Sequence, residues 1–138
     1  SFGCLSKLYK GLNRDDRDAI AKPHGVHATV LESWVHSLVY VRNVCAHHGR
    51  LWNRDLAIAP AIPKRGAPWK PDNLPSPKRV YVVLCVLRSL SRGHPCSDHW
   101  GASIVRLLEA FDGQVRWQTA MGVPKGWRNS SFWEGVPR

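Results

Sequence analysis

With 138 residues, 43% of them hydrophobic and 22% charged, the chain carries enough apolar material for one ordinary domain and is too hydrophobic to remain disordered. Lys and Arg number 20 against 10 Asp and Glu, a formal charge of +10, and seven Trp accompany them, a combination suited to nucleic acid because cations neutralise phosphates and indole faces stack on bases. The four cysteines are scattered, which argues against a disulfide framework, and the longest apolar run, Val80 to Leu87, falls far short of the roughly 20 residues that span a bilayer.

A cytoplasmic location and no contact with a membrane are therefore expected, there being no signal-like opening segment. The chain opens at Ser1 inside a helical pattern, so a fragment of a longer protein or a processed form is expected. Large indoles also commonly fill cores, which is the other reading of the tryptophans. Cys45 and Cys85 lie in apolar runs, where a small thiol is expected to be buried.

In residues 2 to 12, Leu5, Leu8, Tyr9 and Leu12 recur at offsets of three, four and seven and predict a short amphipathic helix. Residues 13 to 21 predict a brief helix, punctuated by Pro23, His24 and Gly25. The strongest pattern runs from Thr29 to about His48, with Leu31, Trp34, Val35, Leu38, Val41, Val44 and Cys45 three or four apart. Thr29 and Glu32 form a candidate capping box at its start, and Gly49 is placed to end it in the left-handed conformation.

Six prolines between Leu51 and Lys78 (Pro60, Pro63, Pro68, Pro71, Pro75 and Pro77) forbid long regular elements and predict an extended connection of the kind that is functional or mobile. Ser76 as N-cap and Pro77 at the first helical position predict a helix through the apolar run Val80 to Leu90, reaching Arg92, although Val80 to Val86 also suits a strand. A last helix is predicted from about Ser97 to Phe111, with Ile104, Val105, Leu107, Leu108 and Phe111 apolar, before an irregular tail from Gly122 packed by its indoles. The expected architecture is one all-α domain over residues 1–138, a small bundle of four or five helices with a long Pro-rich loop.

Chemistry concentrates in Arg42-Asn43-Val44-Cys45-Ala46-His47-His48-Gly49-Arg50, at the end of the best helix. At about 100° per residue, Asn43 and His47 project about 40° apart and Arg42 lies about 100° to the other side of Asn43. A histidine imidazole can take the proton of a ribose 2′-hydroxyl or supply one to a leaving 5′-oxygen. Arginine offers a fork of donors to a phosphate gaining charge, and asparagine can bond the phosphate or orient the imidazole. Such a trio can cleave RNA with no cofactor and no metal. Cationic side chains at a helix C-terminus can also serve only to complement the dipole.

Arg42-Asn43-x-x-x-His47 resembles the Arg-x4-6-His signature of the HEPN superfamily. In a wider frame, Ser1-Phe2-Gly3-Cys4-Leu5-Ser6-Lys7-Leu8-Tyr9, Leu31-Glu32-Ser33-Trp34, Val41 to Arg54, and Met121-Gly122-Val123-Pro124 with Trp127 are together similar to the C-terminal half of Abi-like proteins, the AbiD/AbiF type of abortive-infection protein. The resemblance implies an all-α HEPN fold and a toxin-like endoribonuclease acting in the cytoplasm of bacteria in antiphage defence, with RNA as substrate. It also implies a homodimer that builds a composite active site from two copies of the motif. On it, Arg42, Asn43 and His47 are the catalytic candidates, with His48 the next choice because Arg-x5-His is also allowed. An antitoxin or a guide-like RNA is a further expected partner.

Arg50, Trp52, Asn53 and Arg54 are placed to follow the RNA backbone, Trp52 by stacking or, equally, as a plug closing the bundle. Lys64 and Arg65, with Lys70, Lys78 and Arg79, add a basic strip that is either RNA-binding or simply solvated. His94, Cys96 and His99, joined by Cys45 or His48, have the ligand types of a zinc site but none of its usual spacings, and no metal is expected. The competing function is a non-catalytic module that binds RNA, an antitoxin or another protein through the same edge.

Overall fold

A computed structural model describes residues 2–70, 73, 74 and 76–137; Ser1, Pro71 and Pro75, which entered the reading of the sequence, lie outside the described residues. Helices α1 (Phe2–Gly11), α2 (Arg14–Ala21) and α3 (Ala28–Ala46) lead into the proline-rich connection, and α4 (Val80–Ser91), α5 (Ser97–Glu109) and α6 (Val115–Met121) follow it. Short 3-10 turns at Lys22–His24, Ala67–Trp69 and Trp127–Asn129 complete the described regular structure, which holds no strand. The all-α architecture is the expected one, and Val80 to Val86 is helix.

Helix α3 is the spine, with α1 and α2 packed on it. Its buried positions Leu31, Trp34, Leu38 and Val41 repeat at three and four, so one apolar stripe faces the interior over three turns. Tyr9 fastens the first three helices together, its hydroxyl donating to the carbonyl oxygens of Arg17 at 3.0 Å and Ala28 at 3.3 Å. The cap of α3 differs from the expected box: His27 is the N-cap, its Nδ1 accepting from the Thr29 amide at 3.3 Å, and Glu32 pairs instead with Arg17 of α2. A tertiary ion pair has taken the carboxylate from the local motif.

The long connection is tied down by α3 itself. Trp34 Nε1 donates to Ala61 O at 2.8 Å, Ser37 Oγ to Ile58 O at 2.8 Å, and Ser33 Oγ accepts from Ala61 N at 2.9 Å. Polar side chains three and four residues apart thus satisfy a backbone that prolines bar from helix or sheet. Trp69 then bridges the halves, 5.0 Å from the Trp34 ring and 4.8 Å from Phe132 in the tail. Trp34, Trp69, Trp127 and Trp133 are buried, so most of the indoles fill the core, Trp133 donating to the Tyr81 hydroxyl at 3.0 Å.

On the far side, Arg88 of α4 is 9% exposed and makes its bonds inward. It donates to Ser97 O at 2.9 Å, Ser97 Oγ at 2.6 Å and Phe132 O at 3.3 Å, and pairs with Asp98 at 3.4 Å, joining α4, α5 and the tail. A buried guanidinium is tolerable because its donors are met.

Helix α4 begins at Val80, later than the Ser76-Pro77 signal implied, because those residues form a turn in which Arg79 N bonds Ser76 O at 3.1 Å. Helix α6 had no counterpart in the sequence reading; its seven residues are too few and too polar to show a stripe. No helix among the described residues is long and apolar enough to cross a membrane.

Candidate active site

The buried stripe of α3 ends at Val41, and the last turn of the helix runs past the elements that cover the earlier ones. Val44 is consequently half-buried and Cys45 exposed, which corrects the expectation of a buried Cys45; Cys85, in the middle of α4, is fully buried. Arg42, Asn43, His47 and His48 are all exposed, and the described residues offer none of their side chains a hydrogen-bonding or ionic partner. The guanidinium, amide and imidazole groups are therefore open to solvent and to any ligand.

The backbone fixes where the two histidines stand. His47 is the C-cap of α3 with φ −94° and ψ 23°, its amide bonded to Asn43 O at 3.0 Å. His48 N bonds Cys45 O at 3.0 Å and Gly49 N reaches back to Val44 O at 2.7 Å, the paired closure of a Schellman turn. The left-handed residue in it is His48, at φ 54°, and not Gly49 as expected from glycine's preference.

Gly49 is required for a different reason: a Cβ there would meet Val44 O and Val44 Cγ1, each at 2.8 Å. Closeness to the helix, not backbone handedness, selects the glycine, and the histidine before it carries the strain. A non-glycine residue held left-handed costs about 1 to 2 kcal/mol, and such strain tends to gather at functional sites.

Arg42 and His47 cannot meet within one helix. Five residues separate them by about 7.5 Å of rise and about 140° of rotation, so their side chains leave α3 on different sides. Asn43 and His47 share the stripe that also carries Tyr40 and His36.

Beyond the turn, Arg50, Trp52, Asn53 and Arg54 line one open groove of about 470 Å3. Arg54 Nε donates to Arg50 O at 2.8 Å, which shapes the turn, while Arg50 has no side-chain partner among the described residues. Asn53, left-handed at φ 55°, accepts at Oδ1 from Arg79 Nη1 at 3.0 Å. Trp52 is half-buried with its ring 4.7 Å from Trp117, which in turn lies 5.5 Å from Phe111. Trp52 thus closes over α6 on one side and lines the groove on the other.

Lys64 and Arg65 are exposed and do not line this groove. Arg79 leaves the expected basic strip, since it pairs with Asp55 at 3.2 Å. Among the described residues no group of three or more His, Cys, Asp or Glu side chains could hold a metal ion, and His94 instead accepts from Cys96 N at 3.2 Å in a local turn.

Sequence reasoning missed that Arg79 and residues of α6 line a second hollow with Trp52 and Asn53, next to this groove. A glycine carries the one visible trace: Gly122, left-handed at φ 75°, would place a Cβ 2.6 Å from Arg79 Cβ, so its absence of a side chain lets α6 approach the start of α4.

Residues 1–53 match the family model described as Abi-like protein. The match covers α1, α2, α3, the Arg42–His47 motif and the first part of the following turn; Met121–Pro124 and Trp127, which extend the resemblance, lie beyond it. No curated protein and no solved structure matches the chain at a significant level.

Proposed function

From the Abi-like character of its first 53 residues, we propose that this chain is a metal-independent endoribonuclease of abortive-infection defence. The observation that carries the reading is the end of α3, where Arg42, Asn43 and His47 stand exposed and unpaired among the described residues. Had those groups been spent on the core, no chemistry would be open to them.

The proposed reaction is transesterification. An imidazole takes the proton of a ribose 2′-hydroxyl, whose oxygen attacks the adjacent phosphorus. The bond from phosphorus to the 5′-oxygen breaks, that oxygen receives a proton, and a 2′,3′-cyclic phosphate and a 5′-hydroxyl result. Arg42 neutralises the charge on the five-coordinate phosphorus, and Asn43 binds a phosphate oxygen or holds the imidazole. No other reactant is consumed.

Two copies of the chain complete the site in this reading. The angle of about 140° between Arg42 and His47 along α3 keeps one chain's pair from converging, whereas facing helices can bring the arginine of one to the histidine of the other. Two imidazoles would then divide the roles of base and acid.

The test is cleavage of labelled RNA in EDTA by the wild-type protein and by His47→Ala and Arg42→Ala. Loss of a positioned acid–base group costs about 10²- to 10⁴-fold in rate. Cleavage that survives both substitutions, or that EDTA abolishes, overturns the mechanism. The unpaired arginines also favour a second reading, a non-catalytic RNA-binding or antitoxin-binding module. Turnover decides between them, because a binder protects RNA and a nuclease shortens it.

A further inference from the structure

We infer that the cleft between the Trp52–Asn53 turn and α6 is a phosphate-binding subsite, with Arg116 its principal cation. The ligand is a backbone phosphodiester of single-stranded RNA, gripped away from the bond that is cut; in naming RNA the inference rests on the proposed function.

The cleft, about 330 Å3, is lined by Trp52, Asn53, Arg79, Arg116, Thr119 and Ala120, with no carboxylate among them. Its polar groups are overwhelmingly donors. Asn53 spends its acceptor oxygen on Arg79, which leaves the amide nitrogen to donate. The Trp52 indole N–H is buried with no acceptor among the described residues.

Charge points the same way. Of the two guanidinium groups, that of Arg79 is held by Asp55 at 3.2 Å, whereas Arg116 is exposed and has no acidic partner among the described residues. Three segments far apart in the chain make this assembly: the turn after α3, the residue before α4, and α6, pressed against Arg79 at Gly122. Trp52 and Asn53 also line the groove of Arg50 and Arg54, so the two hollows share a wall. Trp52 lies five residues beyond His47, at most about 18 Å along the chain, which puts the subsite within reach of the same short RNA.

The experiment uses a 2′-O-methyl octaribonucleotide, which has no 2′-hydroxyl to attack with, and measures its affinity by fluorescence anisotropy across a salt series. Removing one phosphate contact from a single strand lowers the slope of log affinity against log salt by about 0.7, or about fivefold in affinity at 0.1 M salt against a 1 M reference.

Arg116→Gln is expected to show that loss, Arg116→Lys to restore it in large part, and Thr119→Asp, which adds an anion to the cleft, to bind more weakly still. Arg106→Gln, on α5 and away from the cleft, serves as the charge control. A slope for Arg116→Gln equal to wild type, or a loss no greater than that of Arg106→Gln, overturns the inference. A fivefold loss for inorganic phosphate with no change for the oligonucleotide does so too, by making the ligand a free anion.

Cleavage of unmodified RNA is followed in parallel. Wild-type cleavage with an unaffected slope sinks the subsite alone; an affected slope without wild-type cleavage sinks the nuclease reading alone.

Discussion

Replacing Gly49 by alanine tests the link between the end of α3 and the side chains proposed to be catalytic. The new Cβ would sit 2.8 Å from Val44 O, a backbone atom that cannot swing aside, and 2.8 Å from Val44 Cγ1. Overpacking of this kind costs about 2 kcal/mol. Relief requires Gly49 N to move from Val44 O, now bonded at 2.7 Å, which weakens a hydrogen bond worth about 1 kcal/mol. Alanine returns about 0.7 kcal/mol by stiffening the unfolded chain, leaving a net destabilisation of about 2 kcal/mol.

In a chain of this size that is a fall of about 6 to 8 °C in Tm, readable by thermal and urea denaturation followed by circular dichroism. Because the displaced turn carries His47 and His48, RNA cleavage should fall at temperatures where the variant is still folded. A Gly49→Ala protein with unchanged Tm and unchanged cleavage would refute the argument that close approach selects this glycine.

His48→Gly should do the opposite to stability, raising it by roughly 1 kcal/mol less the entropy glycine adds to the unfolded chain, since the left-handed strain at φ 54° disappears. If His47 is the catalytic imidazole, cleavage by this variant stays within a few-fold of wild type, whereas a loss matching that of His47→Ala transfers the role to His48. Arg88→Ala should cost about 2 to 3 kcal/mol by equilibrium denaturation, because Ser97 and Phe132 O lose their buried donor, while the exposed Asp98 carboxylate adds little; a change under 1 kcal/mol would mean that the tail packs without it.

Stability should also fall in alkali: burial raises both the Cys85 thiol and the Tyr81 hydroxyl above their ordinary values of 9.0 and 10.0, so they stay protonated in the fold while the unfolded chain ionises. Fewer protons on the unfolded state give a negative slope above pH 9, up to about 1.4 kcal/mol per pH unit for each group. Cys85→Ala should flatten that slope in urea melts between pH 8 and 11, and an unchanged slope would exclude the thiol as its source.

Much of the fold could be read from the chain because long apolar stripes leave few choices. Leu31, Trp34, Leu38 and Val41 announce α3 by spacing, and the run from Val80 announces α4, since burial of a whole stripe outweighs local preferences. Positions decided by single tertiary contacts were less legible. Glu32 answers Arg17 and not its own helix end, and the Ser76-Pro77 signal is satisfied by a turn. The left-handed residue proved to be His48, the first past the C-cap, and Gly49 is selected instead by the Val44 carbonyl, which leaves no room for a side chain.

Of the candidate site, the motif and its resemblance single out Arg42, Asn43 and His47 in the sequence, and the structure adds that they are exposed. Arg79 and Arg116 could not be placed beside Trp52 in advance, because long-range packing alone brings α6 there.

Mass spectrometry of RNA fragments produced in EDTA bears most directly on the central claim. Wild-type protein should leave 2′,3′-cyclic phosphate and 5′-hydroxyl ends, and His47→Ala should leave the RNA intact over the same time. Fragments ending in 3′-hydroxyl and 5′-phosphate, or an identical fragment pattern from His47→Ala, would contradict it.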